Sequence, residues 1–237
     1  MTALSDDTVP TRIPGPAVAR LALYLHVLRT YNQRGVAVTS SQQLSTAAGV
    51  NPAILRKDLS YVGANGVRGV GYDVSKLIAR VAMALHTDDT HNVALAGASR
   101  LGHALLAHTG IGRGFTVTAL FDDDPELIGR TLADDGPIIE PLHAIPTSGG
   151  WDIGVIATSD DRAQEACDAF IAAGVRQILN VTATTLVIQH DTPGVAVRQV
   201  DLALELQVLS FQAKHAAGAA GHTTAPTPAE YRETMTS

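Results

Sequence analysis

Residues Val93–Leu106 read V-A-L-A-G-A-S-R-L-G-H-A-L-L, and few folds accommodate that string. Four apolar residues run into Gly97, followed by Ala98, Ser99, Arg100, Leu101 and Gly102, and then by apolar residues at helical period. The pattern predicts a buried parallel strand, a tight turn and a helix start, the opening of a dinucleotide-binding unit. Gly97 suits the sharp turn that leaves the strand, and Gly102 lets the helix pack close to the sheet. Free backbone N–H groups at the helix start, with the positive end of its dipole, can hold a pyrophosphate. Ser99 stands where the second fingerprint glycine is usual. A second strand, Phe115–Phe121, ends in Asp122-Asp123-Asp124. Asp122 lies 20 positions after Gly102, where a ribose-binding acid belongs. The alternative is a Rossmann-like turn that holds no ligand.

Charge divides the chain. Residues 1–86 carry a formal +5 and residues 87–237 carry −11. A basic first third on an acidic body points to a polyanion as the partner of the first third. No apolar run reaches the roughly 18 residues of a membrane helix. The N-terminus lacks a basic segment followed by an apolar one, so no signal peptide is expected. The single cysteine, Cys167, excludes an intrachain disulfide framework and fits a reducing cytoplasm. Its helical setting marks it as a small core residue.

Residues 1–12 read as a loose tail. Pro16–Asn32 then reads as an amphipathic helix with Val18, Leu21, Leu25 and Leu28 on one face, ended by Gly35. Thr39, Ser40 and Ser41 offer caps for a short helix to about Ala48, broken by Gly49. Asn51 caps the next helix, with Pro52 at its first position. Two short helices around a glycine turn make a helix-turn-helix, whose second helix enters the major groove. Ile54, Leu55 and Leu59 are its expected buried side. Arg56, Lys57, Ser60 and Tyr61 supply donors for phosphates and base edges. Gly63–Gly71 is a glycine-punctuated hairpin with Arg68 and Gly69 near its tip, a wing suited to a minor groove. The bland alternative is a solvated basic helix face. Asp73 caps a further helix through about Leu85.

Thr87–His91 is a polar linker, and nothing near His91 has metal-ligand spacing. Strands are expected at Pro137–Ile139, Trp151–Ala157, Val175–Val181, Val187–Ile188 and Val195–Val200, with a short helix at Pro141–Ile145. The Trp151–Ala157 strand ends at Thr158 and Ser159, at the edge where ligands sit in such sheets. Asp160–Ala173 reads as a helix packed through Cys167, Phe170 and Ile171. Asn180 stands near the ligand-facing end of its strand. The alternation of strand and helix predicts a mostly parallel sheet. Asp201 caps a long helix, Leu202–Ala216, apolar nearly all round. Such a helix needs burial, either in a partner subunit or on its own sheet.

Arg56-Lys57-Asp58-Leu59-Ser60-Tyr61 followed by Arg68-Gly69-Val70-Gly71-Tyr72 resembles the Rex family of redox-sensing transcriptional repressors. So do Ser41-Gln42-Gln43-Leu44 with Gly49-Val50-Asn51-Pro52, and Phe121–Gly129 with its F-D-x-D-P-x-x-I-G pattern. The resemblance spans about Ile13–Ala216. It implies an α/β homodimer: a winged helix-turn-helix domain over 13–86, a Rossmann-like parallel-sheet domain over 92–200, and a helix over 201–216 swapped between subunits; beyond it, residues 217–237, rich in Ala, Thr and Pro, read as a disordered tail. It also implies a repressor, not an enzyme, that binds palindromic double-stranded operator DNA and releases it when NADH rather than NAD⁺ is bound. It places operator contacts on Ser40, Ser41, Asn51, Pro52, Arg56, Lys57, Ser60, Tyr61, Arg68 and Gly69. It places the nucleotide on Gly97, Ala98, Ser99, Arg100, Leu101, Gly102, Asp122, Thr158, Ser159 and Asn180, with Ile128 in the core. Arg20, His108 and Asp201 fall at its switch positions, Arg20 and Asp201 as partners between subunits. Ser99, Ser159, His108, Val62 and Ala64-Asn65 depart from the family pattern. Alternatives are a Rex-like DNA-binding paralogue whose ligand response is lost or altered, for instance to coenzyme A or another adenine nucleotide, and an NAD-dependent oxidoreductase using His103 or His143.

Overall fold

The computed structural model describes residues 13–98, 102, 104, 114–132, 136–189 and 192–220, with side chains to 214. The chain forms two compact units, the first running to Thr90 and taking in Gly114 and Phe115 as well, the second made of the rest from His91.

The first unit is helical. Helix α1 spans Gly15–Gln33, α2 Ser41–Ala47, α3 Pro52–Tyr61 and α4 Val74–Ala84. Each start follows from local chemistry. Ser40 and Gln43 form a reciprocal capping box on α2, Asn51 Oδ1 accepts the Ala53 N–H, and Asp73 Oδ1 accepts the Lys76 N–H. The core joins Leu21, Tyr24, Leu25 and Leu28 of α1 to Leu44, Leu55, Leu59, Leu77 and Val81. Val18, expected on that face, is exposed; the buried stripe runs through Ala17 and Leu21, one position and 100° away. Ile54 is likewise exposed. The buried positions of α3 are Leu55, Asp58 and Leu59, a carboxylate among them.

Strands β1 (Val38–Thr39) and β2 (Tyr72–Asp73) pair antiparallel, and a bridge between Val67 and Gly71 closes the turn that carries Arg68 and Gly69. Gly71 is required here. Its φ is +109°, and a Cβ would collide with the Thr39 carbonyl.

The second unit is a six-stranded sheet. Its strands are β3 His91–Ala96, β4 Phe115–Asp122, β5 Ile139–Pro141, β6 Ile153–Ile156, β7 Gln177–Asn180 and β8 Ala196–Gln199. Their order is β5-β4-β3-β6-β7-β8, and the β3–β6, β4–β5, β6–β7 and β7–β8 pairs are parallel. This is the doubly wound order, with its switch point between β3 and β6. The burial of β3 is continuous from Val93 to Ala96, as a strand covered on both faces requires. Helix α5 (Ala163–Ala172) covers one face through Ala166, Cys167 and Phe170. Gly154 of β6 admits the Phe170 ring, and Trp151 meets both Phe121 and Phe170 edge to face. Burial pushes the Cys167 thiol up to about 11, which suits a core residue and not a redox thiolate.

Among the expectations that fail in this unit are a strand and a core residue. Val187–Ile188 is not a strand, because the Val187 backbone pairs with a side chain: Gln164 donates to its carbonyl at 3.0 Å and accepts its N–H at 2.9 Å. Ile128 is exposed at the turn before Gly129, and Leu127 packs inward instead. The last helix, α6, spans Leu202–Ala220, capped by Asp201 through the Ala203 and Leu204 N–H groups. Its Leu202, Leu204, Leu206, Leu209 and Phe211 are all more than half exposed. Packing on its own sheet is therefore not what this helix does.

Candidate nucleic-acid interface and nucleotide cleft

Helix α3 has two chemically distinct faces. Arg56, Lys57 and Ser60 are exposed, while Leu55, Asp58 and Leu59 are buried. Asp58 is the centre of an internal clamp. Arg20 of α1 approaches it with two parallel bonds, Nε to Oδ2 at 2.6 Å and Nη2 to Oδ1 at 2.8 Å. The Tyr24 hydroxyl donates to Oδ2 at 2.9 Å. Burial alone would push the carboxyl pKa up, but the bonds from Arg20 and Tyr24 outweigh it and hold Asp58 below its ordinary range. The Arg20 guanidinium and the Tyr24 phenol are both pushed up, the first chiefly by the Asp58 bond and the second chiefly by burial. The clamp joins the first helix of the unit to the back of α3 and leaves the basic face outward.

On that face, Arg56 Nη1 lies 3.4 Å from Ser41 Oγ, so α2 and α3 present one polar surface. Asn51 and Ser40 act as caps, and Ser60 donates to the Lys57 carbonyl. Tyr61 is half-buried, and Arg68 and Gly69 are exposed at the turn beyond. Arg80 braces the base of that turn by donating to the Gly63 carbonyl.

In the second unit, the carboxyl ends of β3, β4 and β6 meet around Gly97. Its φ is +100°, and a Cβ would collide with the Ala157 carbonyl and lie 2.5 Å from the Thr158 nitrogen. A Cβ on Gly102 would collide with the Gly97 carbonyl. Both fingerprint glycines are therefore dictated by backbone contacts, Gly97 across the switch point and Gly102 within the turn itself. Asp122 closes the third side. Its Oδ2 accepts the Ala98 N–H at 2.7 Å, and its Oδ1 accepts the Asp124 N–H at 2.8 Å. Each carboxylate oxygen has two lone pairs, so each keeps an acceptor position for a ribose hydroxyl. A cavity of about 170 Å³ lies beside it, lined by Asp122, Asp123, Leu142, Thr158, Ser159 and Arg162. These residues fit the adenosine end of a dinucleotide. Ser99, Arg100, Leu101, His103 and His108 lie outside the described residues.

Comparison with known proteins places this geometry. Residues 12–60 match the family model "Putative DNA-binding protein N-terminus", and residues 88–184 match "CoA binding domain". The chain is 45% identical over 208 residues to a redox-sensing transcriptional repressor Rex of Streptomyces griseus, covering 87% of this chain and 81% of that protein. It is 38% identical over 204 residues to a Rex of Syntrophomonas wolfei, covering 84% and 95%. This chain belongs to the Rex family. The Rex-family repressor RSP, solved in complex with β-NAD⁺ and operator DNA, is 27% identical, with a TM-score of 0.74 over 91% of this chain and 100% of that one. RSP in complex with β-NADH is 26% identical, with a TM-score of 0.74 over 87% and 97%.

Against the expected Rex sites, the outward cluster of Ser41, Arg56 and Lys57 is assembled, and Gly97, Ala98, Gly102, Asp122, Thr158 and Ser159 converge at the switch point. Asn180 does not join them. It is fully buried, and its amide donates to the Thr184 carbonyl and to Gln199 while accepting from Thr182 twice. No polar atom is left for a ligand; the residue ties β7, β8 and the intervening loop together. Asp201 caps α6, and Arg20 is paired with Asp58 within its own unit. Sequence reasoning missed Asp58, Tyr24, Asp123 and Arg162. The spacing of Leu55, Asp58 and Leu59, and of Arg20 and Tyr24 one helical turn apart, was the available signal for the first two.

Proposed function

We propose that this Rex protein represses transcription as a cytoplasmic homodimer on palindromic operator DNA, and that NADH in the Rossmann cleft releases it. The observation that carries the reading is the union, in one chain, of a clamped recognition helix with exposed Arg56 and Lys57 and a glycine turn with no room for a Cβ at the sheet's switch point. The complexes of RSP with operator DNA and β-NAD⁺, and with β-NADH, support it.

Arg56 and Lys57 neutralise phosphates and reach base edges, the wing carries Arg68 toward the adjacent minor groove, and Asp58 keeps the helix from turning about its axis. The pyrophosphate sits over the glycine turn that Gly97 opens, and Asp122 accepts from the adenosine ribose. Reduction of the nicotinamide removes one positive charge, and release requires the two forms to bind the two dimer arrangements unequally. The exposed apolar surface of α6 is swapped onto the partner subunit. Arg20 and Asp201 are the proposed charges of the switch. We assign the cleft to sensing, with no catalytic group.

Mobility shift on operator DNA tests the whole. Binding is expected to weaken steeply with salt and to be released by NADH. Arg56→Ala and Lys57→Ala should each lower affinity and reduce the salt slope by about 1 where a phosphate contact is lost. Equal retardation with and without saturating NADH overturns the sensing half and leaves a DNA-binding paralogue.

A further inference from the structure

The cavity at the carboxyl ends of β4 and β6 carries charges that are unevenly shared. Asp122 faces the glycine turn through its bond from the Ala98 N–H. Asp123, one residue on, holds Arg162 instead. Arg162 Nε donates to Asp123 Oδ2 at 2.5 Å, and Nη2 falls on the same oxygen. The remaining nitrogen, Nη1, reaches Glu165 Oε2 at 2.7 Å. Asp123 and Glu165 thus balance the charge of the one cation among the described lining residues and engage a donor on each of its three nitrogens.

In dinucleotide folds, an acid at this strand end accepts from the free hydroxyls of the adenosine ribose, whereas an available arginine accommodates a ribose phosphate. This chain has both residue types at the same edge. Which of them decides is a question of whether Arg162 is free. A phosphate arriving there meets a guanidinium already neutralised by Asp123 and Glu165, must compete with both for it, and sits beside Asp122, against like charge.

We propose that Asp123, Arg162 and Glu165 form a specificity latch: with Arg162 occupied, the cleft takes an adenosine ribose with free hydroxyls and turns away one bearing a phosphomonoester at the 2′ or 3′ oxygen. The inference rests on the reading of the cleft as an adenine-nucleotide site. NADPH carries the phosphate at 2′ and coenzyme A at 3′, so the two probes separate the positions.

Calorimetric titration of the full-length dimer with NADH, NADPH and coenzyme A tests it. The wild type should prefer NADH to both phosphorylated ligands by about tenfold or more, the scale of one charge-assisted hydrogen bond. In D123N/E165Q that preference should shrink by about tenfold for at least one of them, and adding R162A should restore it. A gain for either ligand supports the latch and tells which ribose oxygen faces Arg162. An unchanged preference in D123N/E165Q overturns the latch, as does a gain that survives loss of Arg162. NADH titration of each variant reports that its cleft is still formed. A wild type that binds NADH and NADPH equally well overturns the latch alone, whereas one that binds none of the three overturns the cleft reading and the latch with it.

Discussion

Each unit of this Rex protein carries one arginine held by carboxylate across a long stretch of chain, and the two clusters are built for different work. In the helical unit, Asp58 is 1% exposed and meets Arg20 by two parallel bonds. In the sheet unit, Asp123 and Arg162 are each more than a third exposed, and water competes for both. A carboxylate removed from water is strongly disfavoured without its partner, so the first cluster sets which way a helix faces. An exposed pair contributes little to stability and is free to act on what enters the cleft. Burial, more than the identity of the paired residues, separates a structural clamp from a selective one.

That contrast can be broken most directly by truncating the buried acid. Asp58→Ala should cost about 3 kcal/mol, toward the low end for a broken buried pair because Arg20 remains a third exposed. Urea unfolding of the full chain reads this, and a loss below about 1 kcal/mol would place the clamp with the surface pairs. Acid sharpens the same point. Asp58 is held below its ordinary pKa in the folded state, so the unfolded chain binds more protons and stability rises with pH. Its contribution is complete above the unfolded value of about 4 and is lost as pH falls through the folded value. Asp58→Asn should therefore flatten the acid limb of the stability curve, and an unaltered limb would contradict the assignment. The smallest effect belongs to the other cluster: Arg162→Ala should change stability by less than about 0.5 kcal/mol, as for other exposed pairs. A loss as large as that of Asp58→Ala would erase the comparison.

The outlines of both units were legible before any coordinates. Caps at Ser40, Asn51 and Asp73, the break at Gly49 and the strand-turn-helix at Gly97 and Gly102 all act within a few residues, so their local chemistry writes them into the string. At Val18 the buried stripe lay one position over, whereas at other sites an interaction from elsewhere in the chain had displaced the local preference. Val187–Ile188 has strand composition, but Gln164 occupies its backbone. Asn180 sits where a ligand residue should, but Gln199 and Thr182 claim its amide. Ile54 is exposed, while one turn on Asp58 is buried, a carboxylate that only Arg20 and Tyr24 make tolerable there.

Periodicity and capping, which depend on neighbours in the chain and on backbone sterics, were enough to name a winged helix-turn-helix followed by a mostly parallel sheet. They also supplied the exposed basic helix and the glycine turn. The partners of the two arginines were another matter. Arg20 and Asp58 lie 38 positions apart, and Asp123 and Arg162 lie 39 apart. No local rule couples residues at such separations; helix packing in one unit and the alignment of two strand ends in the other bring them within bonding distance.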